Sequence, residues 1–291
     1  MLQGSFVALI TPFKNGDIDY IALEKLINLH LEAGTHGILL LGTTAETAAL
    51  ASDEKEALLR FAIQKINKRV PVMVGTGTNN LHQSIANTKK AKELGADYAL
   101  VITPYYIKPT QNGMYEYFKT IAAKVDIPIV IYNVPGRTSI NISAATTVRL
   151  AKDCPSIVGI KEASGNLVQA TEIIRDAPEG FVLMSGEDAL NLPLMSLGAK
   201  GTISVTANVA PKLMSEHMET CLQGDFKLAA KQHANLLLLN NTMFIETNPI
   251  PAKEALALMG YIHPEFRLPM CRLMNQNLET LKTVLKSYDM I

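Results

Sequence analysis

Eight short apolar, β-branched runs recur along the chain, with about 20 to 34 residues between their starts. They are SFVALITP (5–12), GILLLG (37–42), PVMVGTG (71–77), YALVITP (98–104), PIVIYNVP (128–135), IVGIKEAS (157–164), FVLMSGED (181–188) and GTISVTAN (201–208). They are apolar on both alternating faces, the pattern of parallel strands covered on two sides. Between them the period changes. Leu23, Leu26, Ile27 and Leu31 share one helical face, as do Leu58, Phe61, Ala62 and Ile66. Gly34 reads as a C-terminal stop for the first of these helices. Ser52 reads as the N-cap of the second, with Asp53 and Glu54 complementing its dipole.

Strand and helix in alternation, eight times over, predict an α/β fold: a (β/α)8 TIM barrel with a C-terminal helical extension. The competing architecture is an open, doubly wound sheet. It normally carries a glycine fingerprint after its first strand, and here that strand ends in Thr11-Pro12-Phe13. GTGTNN (75–80) lacks the third glycine and follows the third run. Beyond Asn208 the strand pattern stops. We expect residues 1–224 to form the catalytic barrel and 225–291 a C-terminal helical domain.

The 27 basic and 27 acidic residues cancel, which argues against a nucleic-acid or anionic-membrane partner. No apolar run is long enough to span a bilayer, and the N-terminus has no basic segment of the signal-peptide kind. Three widely spaced cysteines make no disulfide framework and suit a reducing, cytoplasmic setting.

Barrels of this type carry their chemistry at the C-terminal ends of the strands. Read in order, those ends supply Thr11, then Thr43, Thr44 and Glu46, then GTGTN, then Tyr105 and Tyr106. Tyr132, Asn133 and Arg137 follow, and then Lys161, SGED and TAN. Lys161 is the sharpest of these. Desolvation favours its neutral amine, a nucleophile toward carbonyl carbon. The competing role is an ion pair, with Glu162 as the nearest carboxylate in sequence. Tyr132, one strand earlier, can exchange protons beside such an amine. Thr43 and Thr44 offer donors for a small carboxylate, and Arg137 can fork onto another.

Other chemistries find little support. The six histidines show no metal-ligand spacing. Neither a GxSxG elbow nor a phosphate-binding GxxxxGK[ST] occurs. A pyridoxal enzyme would also use a lysine, but the last two strand ends show no phosphate cradle. No metal and no organic cofactor is expected.

GTTAE (42–46), TPYY (103–106), YNVPGRT (132–138), GIKEASGN (159–166), GTISVTAN (201–208) and NPIPAKEAL (248–256), taken in order, resemble the dihydrodipicolinate synthase family over essentially the whole chain. The resemblance implies a cofactor-free lyase in diaminopimelate and lysine biosynthesis. It implies that Lys161 forms a Schiff base with pyruvate and that Tyr132, Thr43 and Tyr106 relay protons, Tyr106 from a neighbouring subunit. It assigns Thr44 to the pyruvate carboxylate and Arg137 to L-aspartate 4-semialdehyde, with Gly186 and the Ile203 carbonyl as further substrate contacts. It also implies a homotetramer, a dimer of dimers. Other pyruvate Schiff-base aldolases, acting on N-acetylneuraminate or 2-keto-3-deoxy sugar acids, would share Lys161, Tyr132 and the fold; Arg137 in NVPGRT separates them. A barrel that keeps the site without catalysing is the remaining alternative.

Two departures from the family pattern stand out. Ala45 occupies a position where the family usually has glycine, and a φ above zero there would strain it. At the positions aligned with the family's lysine-inhibition site, Thr47, Ala48, Asn79 and Tyr105 match. Ser52 and Lys55 replace histidines, and Gln83 replaces a glutamate. Weak or absent feedback by lysine is expected.

Overall fold

A run that is apolar on both faces must be covered on both, and here closure does it. The computed structural model describes residues 2–291. Eight strands form a closed parallel barrel: β1 (Gly4–Ala8), β2 (Gly37–Leu40), β3 (Val72–Gly75), β4 (Tyr98–Ile102), β5 (Ile129–Asn133), β6 (Ile157–Glu162), β7 (Val182–Ser185) and β8 (Gly201–Ser204). Each pairs with the next, and β8 pairs back onto β1. The (β/α)8 expectation holds, and the open sheet is excluded by the closing pair.

Eight helices follow the strands: α1 (Tyr20–Glu32), α2 (Ser52–Ile66), α3 (Leu81–Glu93), α4 (Gln111–Lys124), α5 (Ala144–Asp153), α6 (Leu167–Asp176), α7 (Asn191–Leu197) and α8 (Pro211–Leu222). Local chemistry starts several of them. Asn80, Thr110, Ser143 and Asn166 each accept a backbone N–H from three residues on. Ser52 is not a cap. It is the first residue of α2, and the Ala51 N–H is bound by Glu54 Oε2 at 2.8 Å. The cap position is Ala51, and the acidic side chain satisfies the N–H just before the helix. Gly34 does end α1, at φ 74°.

Alternation along the strands builds two apolar layers. Phe6, Leu39, Met73, Leu100, Val130 and Met184 fill the barrel interior. Ile129, Ile131, Ile157 and Ile160 face outward and pack under α4 and its neighbours. Each such side chain contributes about 1.5–3 kcal/mol by leaving water.

Beyond the barrel, α9 (Phe226–Thr242), α10 (Ile250–Leu258) and α11 (Asn275–Ser287) continue the chain. Leu236, Leu239, Ile250 and Leu281 share one apolar core with Leu23 and Leu26 of α1. The C-terminal helices therefore pack onto the barrel and do not form a separate core. Two small elements have no counterpart in the periodicity: a hairpin pairing Phe13–Lys14 with Asp17–Ile18, and a helical turn at Pro135–Thr138. No helix among the described residues is long and apolar enough to cross a membrane.

Candidate active site

The site gathers at the C-terminal ends of the strands and in the turns that follow them. On β5 and β6 the two-residue period decides which side chain enters it. Ile131 and Ile160 point outward, so Tyr132 and Lys161 point inward, and they are direct register partners. The Lys161 Nζ lies 4.5 Å from the centroid of the Tyr132 ring. The next pair, Asn133 and Glu162, points outward again.

That alternation settles the ion-pair question. Glu162 does not meet the Lys161 amine. Its carboxylate accepts hydrogen bonds from Asn133 Nδ2, from Gln169 Nε2 at 3.0 Å and from the Ser164 backbone N–H at 2.6 Å. Lys161 is left 5 % exposed. Its pKa is lowered to about 8, chiefly by burial and with Arg137 acting in the same direction. Asp188 and Glu187 act in the opposite direction. An amine in this state supplies a usable neutral fraction near neutral pH.

Asp188 is fixed by the backbone. Its Oδ2 accepts the N–H groups of Val205 and Thr206, both at 2.9 Å. Glu187 has its pKa raised by burial and by Asp188. Sequence reading noted SGED as a strand end but gave neither carboxylate a role. Gly186, on the same segment, makes room for the lysine. A Cβ there would sit 2.7 Å from the Ala163 Cβ and 3.0 Å from the Lys161 Cε.

Tyr132 is 8 % exposed, and burial raises its pKa to about 12. Arg137 and the Thr43 side chain act in the opposite direction. The phenol therefore stays protonated and can donate. Ile203 lies on β8 in the barrel interior. Lys161, Tyr132, Thr43, Arg137 and Gly186 thus converge in one subunit.

The turn that carries Thr43 and Thr44 is a short 3-10 helix, Thr43–Ala45. Ala45 is buried within it, and its carbonyl accepts the Thr11 hydroxyl at 2.8 Å. The left-handed conformation falls one residue later, on Glu46, at φ 52° and ψ 34°. Alanine at 45 is accordingly unstrained, and the expected conflict does not arise.

Asn248 was not singled out by the sequence, yet it touches two site residues. Its Nδ2 donates to Thr44 Oγ1 at 2.9 Å, and its carbonyl accepts from Arg137 Nη2 at 3.3 Å. It lies 204 and 111 residues away from them along the chain. No local pattern announces such a contact. Tyr106 is the residue that does not join the others. It is 86 % exposed at φ 74°, beside Tyr105 and Ile107, which are exposed too.

The arrangement is a buried amine of lowered pKa beside a protonated phenol, with hydroxyl and guanidinium groups around it. It can form and hydrolyse an imine and hold small carboxylates. Comparison with known proteins agrees with this chemistry. The profile of the dihydrodipicolinate synthetase family matches residues 1–288. A 4-hydroxy-tetrahydrodipicolinate synthase of Thermodesulfovibrio yellowstonii is 51% identical over 291 residues, covering 100% of both chains. The crystal structure of dihydrodipicolinate synthase from Aquifex aeolicus superimposes with a TM-score of 0.98 at 48% identity, over 99% of each chain. The chloride-inhibited enzyme of Acinetobacter baumannii, complexed with pyruvate, gives 0.98 at 44% identity over 100% of both chains. The chain belongs to the dihydrodipicolinate synthetase family.

Proposed function

We propose that Lys161 condenses with pyruvate and that the resulting enamine attacks L-aspartate 4-semialdehyde. The activity is that of a 4-hydroxy-tetrahydrodipicolinate synthase, as in the full-length relatives. The observation that carries this reading is the unpaired, buried Lys161 amine facing Tyr132.

The neutral Lys161 amine adds to C2 of pyruvate, and water leaves to give an imine. Tyr132 supplies the proton to the departing oxygen, with Thr43 as its relay partner. Loss of a proton from the pyruvate methyl gives the enamine. Its carbon bonds to the aldehyde carbon of the second substrate, whose oxygen takes up a proton. The substrate amine then attacks C2 and displaces Lys161 by transimination, closing the ring and freeing the lysine. Thr44 would hold the pyruvate carboxylate and Arg137 that of the semialdehyde. Gly186 and the Ile203 carbonyl would line the remaining substrate edge.

Tyr106 would complete the proton relay in a neighbouring subunit, within a dimer of dimers. Its exposure beside Tyr105 and Ile107 supports that assignment. We place the reaction in the cytoplasm, in keeping with three free thiols. Residues 1–224 would act as the catalytic barrel and 225–291 as the helical domain that closes over one side of it.

The test is borohydride reduction in the presence of pyruvate, followed by peptide mapping, with turnover compared on aspartate semialdehyde and N-acetylneuraminate. A pyruvyl adduct on Lys161 and turnover of the semialdehyde are expected. An adduct with turnover of the sugar acid alone would move the chain to the sugar-acid aldolases. A chain lacking any adduct would lose the mechanism altogether.

A further inference from the structure

A second buried lysine takes no part in the condensation. Lys253, on α10, is 0 % exposed, and its Nζ lies 2.5 Å from Glu46 Oε1. The rings of Phe13 and Phe266 flank the ammonium, with centroids at 4.3 and 4.9 Å. Burial lowers its pKa, and Glu46 opposes this by charge and by hydrogen bond. Fully buried and bound to a carboxylate between two rings, it has no open approach for a carbonyl carbon. Lys253 is therefore not a second imine-forming residue, and some other reason must account for its burial.

The reason lies in its partner. Glu46 is the hinge between two 3-10 turns, Thr43–Ala45 and Thr47–Ala49, and it alone of that run is left-handed. A side chain with a Cβ enters that region only when its surroundings hold it there. Both carboxylate oxygens of Glu46 are engaged. Oε1 meets Lys253, and Oε2 accepts the Arg267 backbone N–H at 3.1 Å. Arg267 in turn donates to the Ala49 carbonyl at 3.1 Å and binds Glu54 through both nitrogens of its fork. A segment from the C-terminal end thus grips the turn at its left-handed residue. On the near side of that residue stand Thr43 and Thr44, the second bound by Asn248.

We infer that the buried Lys253–Glu46 pair holds the Thr43-Thr44 turn in the geometry that receives the pyruvate carboxylate, which makes both members positioning residues for that substrate. This rests on the function proposed above. Without the pair, Glu46 relaxes toward extended backbone, Thr44 leaves Asn248 and Thr43 shifts with it. Lys161 and Tyr132, on β6 and β5, stay where they are.

The test uses the full chain and reads the pyruvate concentration that half-saturates borohydride trapping on Lys161, alongside thermal melting. In Lys253→Met the half-saturating concentration should rise by about tenfold to a hundredfold, the effect of a misplaced binding group, while saturating pyruvate still labels Lys161. Because that variant leaves a buried carboxylate unpaired, a second one, Glu46→Leu with Lys253→Met, removes both charges and should melt at a higher temperature than the single variant. Its half-saturating concentration should remain high. If pyruvate affinity is unchanged in Lys253→Met, or returns together with melting temperature in the double variant, the pair is only structural and the inference fails. An unmutated chain that traps no pyruvate would instead overturn the proposed function, so the two failures cannot be confused.

Discussion

Tyr132 and Lys161 are direct register partners on adjacent parallel strands, with the amine 4.5 Å from the ring centroid. Two strands of a closed barrel cannot slip past one another by a residue without turning every side chain to the other face. The Lys161 amine and the Tyr132 phenol are therefore aligned by the same hydrogen bonds that hold the sheet.

The amine's lowered pKa fixes the pH dependence of imine formation. Burial brings Lys161 to about 8, so the ammonium predominates below that pH and the nucleophile above it. The rate of borohydride-trapped adduct formation should climb tenfold per pH unit well below 8 and level off above it. Trapping rates measured from pH 6 to 10 check this. A rate still climbing at pH 10 would mean that the amine is not desolvated.

The same burial predicts a stability gain on losing the lysine. The folded chain binds the Lys161 proton less tightly than the unfolded chain does, with pKa about 8 against 10.5. Between those values the unfolded state holds more protons, so stability rises with pH across the window. Below pH 8 the whole penalty is present. Lys161→Met should stabilise the protein at pH 7 by on the order of 2 kcal/mol, and the gain should shrink as pH approaches 10.5. Urea unfolding of both proteins at pH 7 and pH 10 measures it.

Gly186→Ala should injure catalysis more than folding. The new methyl group meets the Ala163 Cβ at 2.7 Å and the Lys161 Cε at 3.0 Å. The lysine stem is the softer neighbour and gives way first. Trapping should slow about a hundredfold, against a stability loss of about 1–3 kcal/mol. Parallel trapping and melting experiments compare the two. Trapping at the unmutated rate would show that the stem has room to spare.

Tyr106 can be tested by mixing. Lys161→Ala and Tyr106→Phe should each be nearly inactive. If Tyr106 serves the partner's site, a mixed dimer of the two carries one fully intact site. Equal mixing of unfolded chains followed by refolding should then restore roughly a quarter of the unmutated rate, as expected for random pairing about a two-fold axis. No recovery would place Tyr106 in its own subunit's chemistry or outside the reaction.

Lysine should inhibit weakly if at all. Gln83 offers no anion to an effector's ammonium, and its side-chain amide already donates to Asn87 Oδ1 at 2.7 Å. Lys55 adds a charge of the same sign as the effector's ammonium. A steady-state assay with added lysine decides this, and strong inhibition below millimolar concentrations would contradict it.

The parts of this structure that could be read from sequence are those set by short-range periodicity. All eight strands carry their own apolar signature, and Lys161 is conspicuous because it interrupts one. Tyr132 and Glu162 then follow from alternation, once strand pairing is known. Ser52 lies one position inside the helix because the cap position falls on Ala51, whose N–H is bound by Glu54 reaching back. Ala45 was an apparent conflict because φ cannot be read from a residue's identity, and the left-handed residue proved to be its neighbour. Asn248, Lys253 and Arg267 were invisible as site residues, since their importance comes from contacts across roughly two hundred residues of chain. Only the docking of the C-terminal segment creates those contacts.

That docking sets an order of events during synthesis. A nascent chain that has emerged only as far as β8 already owns Lys161 and Tyr132 and every strand of the barrel. It does not yet own the amide that binds Thr44, the carbonyl that receives Arg137 or the ammonium that meets Glu46. The contacts of Thr44, Arg137 and Glu46 are thus completed after the Lys161 amine is in the chain, from its last fifth. A ribosome-stalled or C-terminally clipped product would therefore carry a reactive amine with an unfinished means of choosing what it reacts with.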